Sequence, residues 1–392
     1  MAMMLLSLDY WTIVANTINK PLEQAITRWY YNDAKRILRS MPHLKIIGIT
    51  GSFGKTSTKH FLYRILSERY NVLMTPGNFN TTLGVVRTVR EHLKPHHEVF
   101  IVEMGAKQLG DIKEICDLVN PEMAIITSVG EMHLETFGSV ENVARTKFEL
   151  YDALPKGGFC AVNIDSEYAM RHIEERALDV ATYGVENRAA KYRATDIIYS
   201  PTETRFSLVT PKGVEENYAT HILGRGNILN IVASLAVADH LGIGVEARRR
   251  AVRQIEAVEH RLSGRGNGGI TILDDAYNSN PTGSRMALEV ISEFVTEGRR
   301  YVVTPGFVEM GAKQYENNRG FGLDISRSKA DGVFVVNEVN RKAITEGLME
   351  GGYPMTQVSC VASFQEAMAE LQPKLKAGDV VLYENDLPDS FK

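Results

Sequence analysis

Lys45–Thr50 (KIIGIT) is a short β-branched run that passes directly into Gly51-Ser52-Phe53-Gly54-Lys55-Thr56 and then a helical pattern. Few architectures accept that order. Thr56–Arg69 carries Phe61, Leu62, Ile65 and Leu66 at helical spacing. A strand, a glycine turn and a helix bring helix N-terminal N–H groups to the end of a sheet. Glycines there let a polyanion approach the backbone. Lys55 can reach outer phosphates, and the Thr56 hydroxyl can ligand Mg²⁺. Gly51, Ser52, Gly54, Lys55, Thr56 and Ser57 therefore form the candidate phosphate cradle. The strict G-x-x-x-x-G-K-[ST] pattern is not met, because Ile49 stands where its first Gly belongs. An ordinary glycine turn carrying Lys-Thr is the plainer alternative, and the flanking strand and helix argue against it.

The same rhythm continues along the chain. Glu98–Val102 and Met123–Ser128 read as buried strands, Glu141–Leu154 as a helix, and Gly157–Asn163 as another strand. This order predicts an α/β fold with a mostly parallel sheet covered by helices. Tyr192–Thr220 reads as antiparallel strands, and Asn227–Leu241 as a helix. A boundary is expected near His260–Arg265. Beyond it Ile270–Leu273, Ser284–Glu297, Tyr301–Thr304, Gly332–Val336 and Val380–Tyr383 restart the alternation. A chain of 392 residues is too long for one common core. The predicted division is a helical segment at 1–44, a unit at 45–260 and a second α/β unit at 261–392. Glu103 closes the EVFIV strand, where a metal-binding acid beside a phosphate loop is expected.

The net charge of −4 carries no basic footprint of a nucleic-acid partner. Cys116, Cys160 and Cys360 are scattered, which fits a reducing cytosol and excludes a disulfide framework. No signal peptide or membrane-spanning run is evident. Pro21–Ser40 spaces Leu22, Ile26, Trp29/Tyr30 and Ile37/Leu38 helically, with Arg28, Lys35, Arg36 and Arg39 among them. A helix packed on the next domain is one reading, and an interfacial membrane helix is the other.

Ordered motifs then narrow the function. GSFGKTS at 51–57, TPGNFNTTLG at 75–84, EMGA at 103–106 and HLETFG at 133–138 are followed by ARTKFE at 144–149, GRGNILN at 224–230 and DDAYNSNP at 274–281. This set resembles the Mur ligases over about Lys45 to the C-terminus. It is most similar to the branch that adds D-alanyl-D-alanine to a UDP-N-acetylmuramoyl tripeptide. The resemblance implies a P-loop central ATPase domain and a C-terminal Rossmann-like domain. It implies ATP-driven amide formation through an acyl phosphate, with ATP and two Mg²⁺ ions. Lys55 would bind the β/γ-phosphates, and Thr56 with Glu103 would hold one Mg²⁺. His133 matches a ligand of the second. Lys147 matches a lysine that relatives carry as a carbamate. Carbon dioxide adds only to a neutral amine, so partial burial is expected to lower its pKa. Asn78, Asn80, Thr81 and Thr82 would face the γ-phosphate and the incoming carboxylate. Asn227 and Asn230 would read the adenine edge, with an N-cap role as the plainer account of one of them. Arg261 would meet phosphate on domain closure, and Asp275 the ribose. Tyr277, Asn278 and Asn280 would line the closing loop.

The chain also departs from that family. Only about 44 residues precede the ATPase pattern, too few for a conventional nucleotide-sugar domain. Gly226 stands where relatives usually carry His. Thr304–Gly311 (TPGFVEMG), Asn318 and the acidic Glu384–Asp389 replace their C-terminal patterns. The expected partners are a small-molecule or lipid-linked cell-wall precursor and an amino-acid or dipeptide amine. A peripheral membrane contact through the N-terminal helix, or a protein supplying recognition, would offset the missing head-group domain. The expected location is the cytoplasm, at the membrane's inner face if that helix anchors. Two alternatives remain: a ligase of the same superfamily with another carboxylate–amine pair, and a non-catalytic nucleotide-binding partner.

Overall fold

The computed structural model describes residues 2–130, 134–199, 203–256, 263–276 and 281–385. Helix α1 (Ala2–Arg39) runs through Pro21 rather than starting there. A proline inside a helix forfeits one backbone hydrogen bond, and residues 19–30 around it are exposed. The last turns pack: Ala34 and Leu38 are buried, and Asp33 accepts hydrogen bonds from Arg36 (2.6 Å) and Arg90 (3.0 Å).

The next part alternates β1 (Lys45–Thr50), α2 (Lys55–Leu66), β2 (Val72–Met74), α3 (Thr82–Glu91), β3 (Val99–Glu103), α4 (Asp111–Val119), β4 (Met123–Ile126), α5 (Leu134–Phe137) and α6 (Val140–Asp152). It continues with β5 (Phe159–Asn163), α7 (Glu167–Arg176), β6 (Ala181–Gly184), β7 (Tyr192–Tyr199), β8 (Thr204–Thr210), β9 (Gly213–Thr220), α8 (Arg225–His240) and α9 (Val245–Arg253). One sheet joins the strands in the order β2-β3-β1-β4-β5-β6-β7-β8-β9, with β7–β8 and β8–β9 antiparallel and the other pairs parallel. Its apolar strands are continuous because both faces are covered. Ile47, Ile49, Val99 and Ile101 join the core under α2 and α8. Ile46, Phe100 and Val102 join the opposite core with α3, α4 and α6. Gly48 is where α6 comes closest: a Cβ there would lie 2.6 Å from Leu150 Cδ1.

The second sheet uses β10 (Ser263–Asn267), β11 (Ile270–Asp275), β12 (Arg300–Thr304), β13 (Gly332–Val336), β14 (Val358–Val361) and β15 (Val380–Glu384). Helices α10 (Pro281–Glu293), α11 (Gln314–Arg327), α12 (Arg341–Glu350) and α13 (Phe364–Leu371) accompany it. Strand order is β10-β11-β15-β12-β13-β14, antiparallel only between β10 and β11. That hairpin turns on Gly268 and Gly269, both at positive φ (59° and 84°), as a two-residue primed turn demands. No helix among the described residues is long and apolar enough to cross a membrane.

Candidate active site

Strand β1 lies between β3 and β4, so the chain's winding reverses beside it. A crevice opens at the carboxyl ends of strands at such a point. The 51–54 turn fills it and is tied to the segment after β4. Ser52 N donates to Ser128 O (2.8 Å), and Ser52 Oγ donates to Gly130 O (3.2 Å) while accepting from Gly130 N (3.1 Å). Phe53 N donates to Ser128 Oγ at 2.8 Å. Gly54 has φ of 78°, and a Cβ there would come 2.5 Å from Asn230 Oδ1. Glycine is required at that point for conformation and for space. Lys55 Nζ donates to Gly51 O (2.7 Å) and Ser52 O (3.3 Å), so its ammonium lies over the turn. Phosphate oxygens are stronger, charged acceptors for it than these carbonyls. Ser57 is buried in the first turn of α2.

Glu103 is the centre of the polar cluster. Thr56 Oγ1 and Asn80 Nδ2 each donate to its Oε1 at 3.2 Å. Lys59 Nζ lies 2.9 Å from Oε2, with the two side chains 0% and 2% exposed. Lys59 also donates to Gly77 O at 2.6 Å, and Glu103 N donates to Thr75 Oγ1 at 3.2 Å. Burial alone would raise the Glu103 carboxyl. Lys59, then Lys55 and the Asn80 amide, outweigh burial and hold it below the usual range. A buried, ionised carboxylate beside a threonine hydroxyl and a phosphate cradle fits Mg²⁺, which takes oxygen donors and keeps phosphate and water ligands. Among the described residues no three His, Cys, Asp or Glu side chains converge, as an all-protein metal cage would need.

Lys147, on α6, is buried, and its Nζ lies 5.7 Å from the centre of the Phe137 ring. Burial first, and then the Lys55 charge, push its pKa down to about 7. Such an amine is substantially neutral at neutral pH, which is the condition carbamate formation sets.

Asn230 Oδ1 accepts from Thr58 Oγ1 at 3.2 Å, so this amide braces the phosphate helix. Asn227 Nδ2 donates to Leu223 O at 3.0 Å. The N-cap of α8 is Gly224 at φ 92°, so neither asparagine caps that helix, contrary to the plainer expectation. A Cβ on Gly226 would meet Met286 Sδ at 2.5 Å; Met286 fills the space a larger residue there would need. Thr81 caps α3, its hydroxyl accepting from Gly84 N at 3.3 Å, and Thr82 begins that helix. Asn78 is exposed on the same loop. Asp275 ends β11 in the second sheet, in register with Glu384, and is not part of the Glu103 cluster. Glu384 is fully buried, which rules out a solvated acidic end at that residue. Asn318 is also fully buried and grips the loop after β12. Its Oδ1 accepts from Phe307 N (2.8 Å), and its Nδ2 donates to Phe307 O (2.9 Å). His133, Arg261, Tyr277, Asn278 and Asn280 lie outside the described residues.

Sequence reasoning missed Lys59, Thr75 and Ser128. Lys59 alone carried a signal: it stands four residues after Lys55, on the same side of the helix.

Comparison with known proteins agrees with this geometry. The Mur ligase middle domain family matches residues 49–238, and the Mur ligase, glutamate ligase domain family matches residues 260–383. The UDP-N-acetylmuramoyl-tripeptide–D-alanyl-D-alanine ligase of Bacillus subtilis (strain 168) is 28% identical over 341 residues, covering 87% of this chain and 72% of that protein. Its namesake in Escherichia coli (strain K12) is 30% identical over 306 residues, covering 77% and 67%. The MurF ligase from Thermotoga maritima in complex with ADP superposes with a TM-score of 0.81 at 26% identity, covering 92% of this chain and 80% of that one. MurF from Acinetobacter baumannii gives 0.80 at 26% identity, with 91% and 77% covered. With its phosphate turn, buried strand-end acid and second α/β sheet in matching order, the chain belongs to the Mur ligase family.

Proposed function

We propose that the protein is an ATP-dependent carboxylate–amine ligase that joins a D-alanyl-D-alanine-type amine to a muramoyl-tripeptide-type cell-wall precursor. The observation that carries this reading is the Glu103 cluster beside the phosphate turn. Both named ligase relatives above act, by their names, on that pair of substrates. A carboxylate oxygen of the acceptor attacks the γ-phosphorus of ATP, and ADP leaves. The amine nitrogen then attacks the acyl carbon, and phosphate departs with the oxygen that had attacked it. The difficulty is bringing an anion onto a polyanion in a site that must keep water from the acyl phosphate. Lys55 and the N–H groups at the start of α2 offset the phosphate charge. Thr56 and Glu103 would hold one Mg²⁺, with His133 and a carbamate on Lys147 serving a second. Bound there, Mg²⁺ supplies Lewis-acid stabilisation of charge on the phosphoryl oxygens. Asn80, Thr81 and Thr82 would flank the acceptor carboxylate from the 75–82 loop, with Asn78 at its exposed rim. Asn227 and Asn230 close the base side. Arg261, Asp275, Tyr277, Asn278 and Asn280 would come from the C-terminal part when the two parts close.

We place the functional divisions at 1–44, 45–260 and 261–392, and the enzyme in the cytoplasm. The exposed Leu22, Ile26, Trp29 and Tyr30 of α1, with Lys20 and Arg28 nearby, favour a lipid-linked acceptor met at the membrane's inner face. A partner protein that supplies head-group recognition would use the same helix.

The test is phosphate release from ATP by the purified chain with Mg²⁺ and bicarbonate. UDP-muramoyl tripeptide and D-alanyl-D-alanine are added singly and together, and amide product is sought by mass spectrometry. Release that requires both substrates supports the reading. Binding of ATP with no stimulation by the pair rejects this acceptor, and vesicles carrying lipid-linked muramoyl peptide are then the next arm.

A further inference from the structure

We propose that Lys59 is a positioning residue of the nucleotide–metal site: its ammonium pins Glu103 Oε2 and the Gly77 carbonyl together, leaving Glu103 Oε1 turned to Thr56. The inference rests on the reading of the Glu103 cluster as a magnesium–nucleotide site.

A lysine with no exposed side-chain surface is rare unless it is paired. Lys59 has no exposed side-chain surface, and its two partners, one an ion pair and one a hydrogen-bond acceptor, come from different segments. One is the acid that ends β3, 2.9 Å away. The other is the backbone of the loop after β2, 2.6 Å away. That loop returns to the same acid, because Asn80 donates to Glu103 Oε1. Its entry is fixed to the acid as well, since Thr75 Oγ1 accepts from Glu103 N. Lys59, Glu103, Asn80 and Gly77 thus form a closed ring through the loop backbone. A charge that only balanced Glu103 would not need the Gly77 carbonyl.

The ring divides the carboxylate's two oxygens. Oε2 is committed to Lys59. Oε1 faces Thr56 and Asn80, on the side of the phosphate turn. Lys55 stands one helical turn before Lys59 on α2 and also attracts Glu103. Without Lys59, Oε2 would have Lys55 as its remaining cation. Glu103 would then draw Lys55 from the phosphates and lose its own orientation. Two lysines one turn apart therefore do different work: Lys55 meets phosphate, and Lys59 keeps the acid off Lys55.

The test is ADP affinity by titration calorimetry, in EDTA and in saturating Mg²⁺, for wild type, Lys59→Arg, Lys59→Gln and Lys59→Met. Wild type binds ADP more tightly with Mg²⁺. Lys59→Gln keeps a donor for Gly77 and loses the charge. Lys59→Gln and Lys59→Met are expected to lose about tenfold or more of the Mg²⁺-dependent tightening, as removal of one partner of a buried pair implies. Affinity in EDTA should change by less than about threefold, since the phosphate contacts remain. Lys59→Arg should keep most of the tightening. Thermal melting checks that each variant folds; if Lys59→Met does not, Lys59→Gln against Lys59→Arg decides. A merely structural lysine would lower the melting temperature and leave the Mg²⁺ effect whole in Lys59→Gln, and that result overturns the proposal. Wild-type ADP binding that ignores Mg²⁺ would overturn the site reading, and the role of Lys59 with it.

Discussion

The molecule buries polar groups at the carboxyl ends of parallel strands in both sheets, and it does so differently. Around Glu103 the buried groups are charged: Lys59 and Glu103 face each other, and Lys55 stands nearby. On the backbone of the loop after β12 they are neutral amides, although Glu384 is buried at the end of the neighbouring β15. Asn318 and Asn340 hold the 305–307 backbone, with Asn340 Nδ2 donating to Pro305 O (3.0 Å) and Phe307 O (2.9 Å). Neutral amides can satisfy every partner among themselves, so that loop is complete without a ligand. Buried charges are costly, and a ligand of opposite charge can offset the cost. A buried ion pair therefore stands beside the phosphate turn, and amides hold the 305–307 backbone.

Substitutions should separate these two designs. The largest effect is expected from Lys55→Ala, which removes the cation over the phosphate turn. Phosphate release should fall on the order of 10³-fold, as loss of a transition-state donor does, with the melting temperature nearly unchanged. Asn318→Ala should do the opposite. It leaves Phe307 N without its partner at a buried site, although Asn340 still donates to Phe307 O, and should cost roughly 1–3 kcal/mol of stability by chemical denaturation. ADP affinity of the variant that remains folded should stay at the wild-type level. A nucleotide defect in Asn318→Ala without a stability defect would break the comparison.

Gly54→Ala places a Cβ in a left-handed position and against Asn230. A penalty of about 1–2 kcal/mol is expected from the backbone alone, read as weaker ADP binding by calorimetry.

Lys147 gives the pH dependence. The unfolded chain holds this proton up to about 10.5, the folded one only to about 7. Between those values the unfolded state binds the extra proton. Stability should therefore rise with pH through that window and be flat with respect to this group below about 7, where the full cost of burying the charged amine is present. The slope is at most about 1.4 kcal/mol per pH unit. Lys147→Met should flatten it in denaturation curves taken at pH 7 and 9. The neutral amine also forms as pH rises through about 7, so a carbamate signal from ¹³C-labelled bicarbonate should grow from pH 6 to 8. Its absence in wild type would remove the carbamate from the account.

The smallest effect is expected from Thr81→Ala. Loss of the α3 cap should cost about 1 kcal/mol and leave ADP affinity in place.

How much of this was legible in the sequence depends on the range of each contact. β1, the glycine turn and α2 are local, and their residues declare strand, turn and helix in succession. β2 has three residues, too few for any periodicity. The order of the strands around β1 is not local either, and it alone brings Ser128 to the Ser52 turn. Asn230 could be picked out as an amide near a helix start. Its partner Thr58 lies 172 residues earlier, so its use as a brace could not be read. Lys59 looked like one more polar helix residue until β3 placed an acid beside it. Glu384 stands in an acidic run, and its burial depends on the covering of β15, which the run does not declare.

The most direct test of the central claim follows a single oxygen. The purified chain, ATP and Mg²⁺ are supplied with D-alanyl-D-alanine and a muramoyl tripeptide whose reacting carboxylate carries ¹⁸O at both oxygens. If a carboxylate oxygen attacks the γ-phosphorus and leaves with it, each new amide is matched by one ¹⁸O atom in the released phosphate. Amide formed with unlabelled phosphate, or ATP hydrolysed with no amide, would contradict the account.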